Sequence, residues 1–379
     1  AQLGQDALKG SLIAGIIGLA IVCVFMCWVY LLPGLASSLA LILYTELILI
    51  LLNAFDITLT LPGIAGIILG IGMAVDANVI IFARVKEELT AGKSVHASLK
   101  SGFQKAMSAI VDGNITTLIA AGVLWLRGSG TVKGFAQTLA LGIVVSMFTA
   151  LVITRLIIFA FYGAGIHNEK VYGRHLKERK PVDFLGKKKI FFVISIILCL
   201  AGPVMMGVNH ARGIGAMNYS LDFVGGTSTN VTFDKEYTLE EIDSQMIPSL
   251  EEITGDKNIQ VQTVKDSNQV VFKTQTLDLE KREALASYLN ENYGVEASDI
   301  ATENISSTVS SEMRRDAVIA VIIATICMLL YIWFRFKDIR FATSAVVALM
   351  HDVLVVLGFY VIARVSVGNT FIACMLTIV

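Results

Sequence analysis

Eight stretches of this chain are each apolar over about the length a helix needs to cross a bilayer, and that constraint limits the fold before any motif is considered. A hydrocarbon core about 30 Å thick takes roughly 20 apolar residues in a helix. Residues 11–32, 35–55, 61–83, 106–126, 134–162, 190–208, 317–334 and 341–363 qualify. A ninth run begins near Ser366 and is still apolar at Val379, so a truncated last helix is expected. No basic segment precedes the first run, which therefore reads as a span and not as a signal peptide. Only 16% of residues are charged, against about 25% in a soluble domain. A single soluble globule is excluded.

Orientation follows from Lys and Arg in the short connections. With residues 1–10 outside and the runs alternating, the inside segments 84–105, 163–189 and 335–340 hold sixteen of them. The outside short segments offer only Lys9, Arg127, Lys133 and Arg364. Segment 208–314 then lies outside; it carries 8 basic and 18 acidic residues, a net of −10, while the remainder of the chain nets +9. The overall charge of −1 gives no reason to expect nucleic acid as a partner. The expected organisation is a membrane half of five helices (1–162), a basic cytoplasmic linker containing Pro181 (163–189), one helix (190–208), an outer domain (209–314), and further membrane helices (315–379).

The outer segment is too long to be structureless. Residues 227–233 alternate as a strand, and Thr238-Leu239-Glu240-Glu241 is a capping box opening a helix to about Leu250. Residues 259–264 and 270–274 alternate around the turn Asp266-Ser267-Asn268, 278–293 reads as a second helix, and 298–305 as a last strand. The order β-α-β-β-α-β predicts a ferredoxin-like α+β sheet. Gly225-Gly226 reads as a tight turn into the first strand rather than an anion cradle. All five cysteines lie in apolar runs without C-x-x-C spacing, so they are small apolar fillers, and neither a metal site nor a disulfide is expected.

The informative residues are acids inside the runs: Glu46, Asp76, Asp112 and Asp352. At 1.5 Å per residue, Asp112 lies roughly 9 Å, Asp76 roughly 12 Å, and Glu46 and Asp352 roughly 17 Å from the inner edge. Each costs at least about 2.5–3.5 kcal/mol on insertion scales, so four at similar depth require a reason. No basic residue stands beside them within the runs, which leaves them protonated, hydrated, or paired with something beyond Val379. Glu46 sits alone among Leu and Ile, where a structural hydrogen-bonding role weighs most. Asp76 sits among small residues, Gly70 to Asn78, that allow close helix packing. His351 beside Asp352 titrates near neutral pH in its ordinary state. A weak echo pairs Thr45-Glu46 with His351-Asp352, and Ile64-Ala65 with Ile372-Ala373, as in duplicated transporters. No Walker A, G-x-S-x-G or H-E-x-x-H pattern occurs, so neither ATP hydrolysis nor another enzymatic activity is expected.

Several motifs then carry a resemblance. Leu61-Pro62-Gly63-Ile64-Ala65-Gly66 with Gly72-Met73-Ala74-Val75-Asp76-Ala77-Asn78, Asn114-Ile115-Thr116-Thr117, and Val132-Lys133-Gly134-Phe135-Ala136 look like the later SecD helices. Leu221-Asp222-Phe223-Val224-Gly225-Gly226, Tyr331-Ile332-Trp333-Phe334-Arg335-Phe336 and Leu349-Met350-His351-Asp352 are similar to SecF. The chain resembles a SecD–SecF fusion of the resistance-nodulation-division superfamily, without the first SecD helix and outer domain and without the last SecF helices. Ala83 and Gly113 depart from the Glu and Ala usual at those motif positions.

The resemblance implies a helical membrane bundle of about nine spans in two pseudo-repeated halves. It also implies an accessory of the Sec translocon that uses proton flow, without a bound cofactor, to assist preprotein export. Asp76 and Asp352 match the proton-linked carboxylates, with Asn78, Asp112, Asn114, His351 and Glu46 as supporting polar groups. Implied partners are the Sec channel complex, unfolded preproteins and other Sec accessory membrane proteins, in the bacterial cytoplasmic membrane. Two other readings stand beside it: a small-molecule or lipid exporter of the same superfamily, and a passive scaffold for translocon assembly.

Overall fold

The structure, a computed structural model, describes residues 2–57, 59–128, 130–173, 183–213, 215–256, 259–263, 267–368, 371 and 375. Eight described helices are long and apolar enough to cross a membrane. Most of the ninth run, with Ile372-Ala373 and Cys374, lies outside the described residues, as do Asp266 and the linker portion with Pro181.

The first helices are α1 (Gln2–Tyr30), α2 (Leu32–Ala54), α3 (Leu61–Thr90) and α4 (Val95–Arg127). They are followed by α5 (Gly130–Phe148), a π-helical turn at Thr149–Ile153, α6 (Thr154–Gly163) and the short α7 (Glu169–Tyr172). Leu31, at φ 56°, and Pro33 end α1 and reverse the chain. Gly34 is required there, because a Cβ would lie 1.9 Å from the Met26 carbonyl oxygen. Ser38 Oγ, one turn on, reaches the Cys23 carbonyl at 3.3 Å. Thr60 caps α3 by accepting from the Gly63 N–H at 3.1 Å, with Pro62 in the first turn, where a missing N–H costs nothing.

Segment 84–105, expected as an inside loop, is instead a helical hairpin turned at Gly92. Val85 and Leu89 on α3 and Val95, Leu99 and Phe103 on α4 recur at helical spacing and are all buried. Glu88, also buried, is held by Lys93 and by Lys105 at 2.5 Å. Two of the lysines counted for orientation therefore pair with a buried carboxylate. In the membrane part, α3 and α5 approach through small residues. A Cβ on Gly66 would lie 2.6 Å from Thr138 Oγ1, and one on Gly70 would lie 2.2 Å from the hydroxyl of the fully buried Tyr44. Gly72 has open space around it, while Ala74 and Ala77 further along the same stretch are buried.

After α8 (Lys188–Ala211), which contains Pro203, come α9 (Leu221–Val224), β1 (Gly226–Thr232), α10 (Leu239–Gln245) and α11 (Ile247–Thr254). Then follow β2 (Gln260–Thr263), β3 (Gln269–Thr274), α12 (Leu279–Tyr293), β4 (Ile300–Ile305), α13 (Ser307–Phe336) and α14 (Ile339–Ile362). The sheet order is β2-β3-β1-β4 with every pair antiparallel, the expected ferredoxin-like arrangement. Val231, Phe233, Val270 and Phe272 meet Ile242, Met246, Leu250, Leu285 and Leu289 in one core. The predicted first helix forms with its reciprocal Thr238–Glu241 capping box but breaks at Met246. Pro248 lacks the N–H that would bond the Ser244 carbonyl, so the helix restarts. The last strand starts at Ile300 because Ala297–Asp299 forms a 3₁₀ turn.

Contacts divide the chain into two bodies, one reaching to Cys199 and including Ala320–Val355, the other Leu200–Ile319 with Val356–Phe371. In the second body α8 and α14 touch at glycine: a Cβ on Gly202 would lie 2.8 Å from Gly358 Cα.

Close glycine approach is testable where the neighbour is backbone. A Cβ on Gly102 would lie 2.9 Å from Val85 N and 3.0 Å from its Cα. Gly102→Ala is expected to cost about 1–3 kcal/mol and to lower the thermal midpoint of the detergent-solubilised protein. Gly163→Ala, with nothing within 4 Å of the added methyl, should leave that midpoint in place.

Candidate functional site: intramembrane carboxylates

The four acids lie on four different helices, Glu46 on α2, Asp76 on α3, Asp112 on α4 and Asp352 on α14. Asp112 is the one the structure pairs with a cation. Its Oδ1 accepts from Arg335 Nε at 2.8 Å and from the Tyr331 hydroxyl at 3.0 Å. Tyr331 and Arg335 stand four residues apart on α13, so one helix face presents both donors. The Asp112 side chain is 18% exposed and that of Arg335 43%. This corrects the expectation that no basic residue accompanies these acids. Arg335 counts toward the inside connection in the sequence, but α13 continues to Phe336 and keeps it on the helix.

Asp352 accepts from or donates to its own neighbour, with His351 Nδ1 2.9 Å from Oδ1. Adjacent helix positions diverge by about 100°, yet the side-chain torsions close the gap. His351 Nε2 is buried without a partner among the described residues, while the Asp352 side chain is 60% exposed.

Asp76 is exposed on the face of α3 opposite Ala74, Ala77, Asn78 and Ile81, which are buried. Among the described residues neither Asp76 nor Glu46 makes a side-chain hydrogen bond or ion pair, and Glu46 is likewise exposed. Asn78 turns the other way, donating to the Ala74 carbonyl at 3.2 Å with its own Oδ1 buried and unpaired. Asn114 donates to the Ile110 carbonyl at 2.7 Å, and Thr116 and Thr117 both return to the Gly113 carbonyl. Thus Asp76 and Asn78 do not form one polar cluster, and Asn114 is satisfied within its own helix. Among the described residues no group of His, Cys, Asp and Glu could hold a metal ion.

Tyr331 and Arg335 are the site residues that residue-by-residue reading missed as partners of an acid. The available signal was a Tyr and an Arg four residues apart at the inner end of an apolar run, at the depth of Asp112. At its other end α14 runs into chain bonded to the outer domain's entry segment. The Val367 N–H donates to the Asn218 carbonyl at 2.8 Å and the Ser220 N–H to the Val367 carbonyl at 2.9 Å. Tyr219 and Val367 form a parallel bridge, and Asn218 Nδ2 donates to the Arg364 carbonyl at 2.9 Å.

Comparison with known proteins agrees over nearly the whole chain. The profile of the family described as protein export membrane protein SecD/SecF, C-terminal, matches residues 1–163 and 285–379. The protein translocase subunit SecDF of Bacillus subtilis is 35% identical over 398 residues, covering 100% of this chain and 52% of that protein. SecD of Acidaminococcus fermentans is 50% identical over 186 residues, 49% of this chain and 45% of its own. The crystal structure of SecDF, a translocon-associated membrane protein from Thermus thermophilus, superposes with a TM-score of 0.87 at 33% identity, over 99% of this chain and 50% of that one. The chain spans about half the length of the full-length SecDF relatives it matches.

If the Asp112 pair ties α4 to α13, its two ends are energetically coupled. In a denaturant-unfolding cycle of Asp112→Ala, Arg335→Ala and the double variant, a coupling of about 1–2 kcal/mol is expected, between the values for exposed and buried pairs. Additive effects would show that the contact contributes nothing.

Proposed function

The chain belongs to the SecD/SecF family of protein-export membrane proteins, and on that premise we propose that it is the central part of a proton-driven accessory of the Sec translocase. In this reading it lies in a bacterial cytoplasmic membrane with the sheet domain on the outer side. It acts on preproteins as they leave the translocon channel, alongside other Sec accessory membrane proteins. The proton gradient is the energy source, and no bond-making step or bound cofactor is involved.

Asp76 and Asp352 are the proton-linked groups of this proposal. Asp112 is not given that role in this proposal, because its carboxylate is tied to the Arg335 guanidinium and the Tyr331 hydroxyl on α13. The observation that carries the reading is the tie at the end of α14. The helix that holds His351 and Asp352 inside the membrane ends in residues hydrogen-bonded to the strand-like segment 218–220. That segment leads through α9 into β1. A change of charge at Asp352 that shifts α14 along or about its axis therefore pulls on the entry to the outer sheet through backbone bonds. About 2.3 kcal/mol is available per charge crossing 100 mV, enough to bias two states roughly fiftyfold.

The test uses the full-length protein in cells secreting a reporter preprotein. Asp76→Asn and Asp352→Asn, singly and together, are expected to abolish the proton-dependent part of secretion at normal membrane levels. The Asn side chain keeps the size and loses the titration. Unchanged secretion in the double variant would overturn the coupling and leave a scaffold for translocon assembly.

A further inference from the structure

A groove of about 440 Å³ opens on the flank of the first body, where α6 leaves the π-helical turn. Leu151, Val152, Leu156 and Phe159 line it together with one cation, Arg155. Leu151, Arg155 and Phe159 stand four residues apart and Val152 and Leu156 form the next row, so a single helix face supplies the wall. In the turn the Thr154 N–H reaches back five residues to the Thr149 carbonyl, a widening of the kind that recurs at functional sites. Val152 and Leu156 are 40% and 62% exposed within a span, so their open surface meets lipid.

Arg155 marks the end of the groove. Its guanidinium lies 6.0 Å from the centre of the Phe103 ring and 5.9 Å from that of Phe159. Phe103 stands just before the apolar run of α4, which begins at residue 106. The charge therefore sits at the level where the α3–α4 hairpin leaves the hydrocarbon, and Leu151 and Val152 lie one turn deeper. Arg155 is exposed and makes no hydrogen bond or ion pair among the described residues. Lys93 and Lys105 of the hairpin, by contrast, are both paired with Glu88.

We propose that this groove binds an anionic phospholipid, with its phosphate on Arg155 and an acyl chain along Leu151, Val152 and Leu156. A guanidinium matches a phosphate with two parallel hydrogen bonds. The apolar strip running from it into the bilayer matches the chain that follows such a headgroup. A zwitterionic lipid brings its own ammonium to compete for the phosphate, so a headgroup of net negative charge is favoured. A water-borne anion would leave the apolar wall uncovered, and an apolar helix laid there would leave Arg155 without a counter-charge. The site is separate from the carboxylates of the coupling scheme and does not depend on the export reading.

The experiment places a photoreactive benzoylphenylalanine at Leu156 of the full-length protein, or at Ile21 as a control. Ile21 is exposed on α1 in a stretch without Lys or Arg. Each protein is irradiated in nanodiscs of equal dioleoylphosphatidylglycerol and dioleoylphosphatidylcholine, and the lipid adducts are identified by mass spectrometry. Position 156 is expected to capture phosphatidylglycerol about fivefold over phosphatidylcholine, the enrichment one basic residue gives at a membrane surface, and position 21 the two equally. Arg155→Gln should bring the ratio at position 156 down to that at position 21. Equal capture at both positions in the protein that keeps Arg155, a comparison that needs no change at the arginine, would overturn the site and leave Arg155 to water. A preference that survives Arg155→Gln would overturn it as well.

Discussion

A carboxylate carried into an apolar helix must meet a cation, a proton or water, and the way each acid here meets that demand organises the membrane part of the molecule. Asp112 finds Arg335 and Tyr331 on α13, so a helix near the start of the chain is held to one 223 residues further on. Asp352 has the His351 imidazole as its neighbour, with Nδ1 2.9 Å from Oδ1. Asp76 faces away from the helices that pack against α3 and has no partner among the described residues. The three situations are a carboxylate bonded to a guanidinium and a hydroxyl, one beside an imidazole, and one without a side-chain partner among the described residues.

Much of the packing among α2, α3 and α5 rests on close approach at small residues. α3 meets α5 across Gly66 and Thr138, and Tyr44 fills the space left by Gly70 and Gly142. Lipid offers no hydrophobic drive for helix association, so close backbone approach and shape supply the attraction. Below the apolar stretch the α3–α4 hairpin returns to an ordinary core of Leu89, Val95, Leu99 and Phe103, with Glu88 buried between two lysines. In this packing Asp76 and Glu46 lie on exposed faces of their helices, outside the packed core.

The sheet domain is joined to the end of α14 by backbone bonds and by the side chains of Asn218 and Arg364. Stretching such a tie would leave backbone N–H and C=O groups unpaired, which is costly.

The sequence by itself determined the spans and the small sheet, and it set the expectation for their direction. Those features depend on local patterns: runs of about 20 apolar residues, the bias of Lys and Arg between loops, alternation in the strands, and a Thr-x-x-Glu cap. The break at Met246 was legible too, since Pro248 forbids the continuing bond, although a helix to Leu250 had been the expectation. The hairpin at 84–105 was written in the helical spacing of Val85, Leu89, Val95, Leu99 and Phe103 but masked by the charge of the lysines between them. Tertiary structure alone decided which acid has a counter-ion, which way Asp76 and Asn78 face, and that residues 218–220 bond to Val367. Each of these depends on helices and strands far apart in the chain meeting at a particular rotation and height, and no local periodicity records where a distant partner will lie.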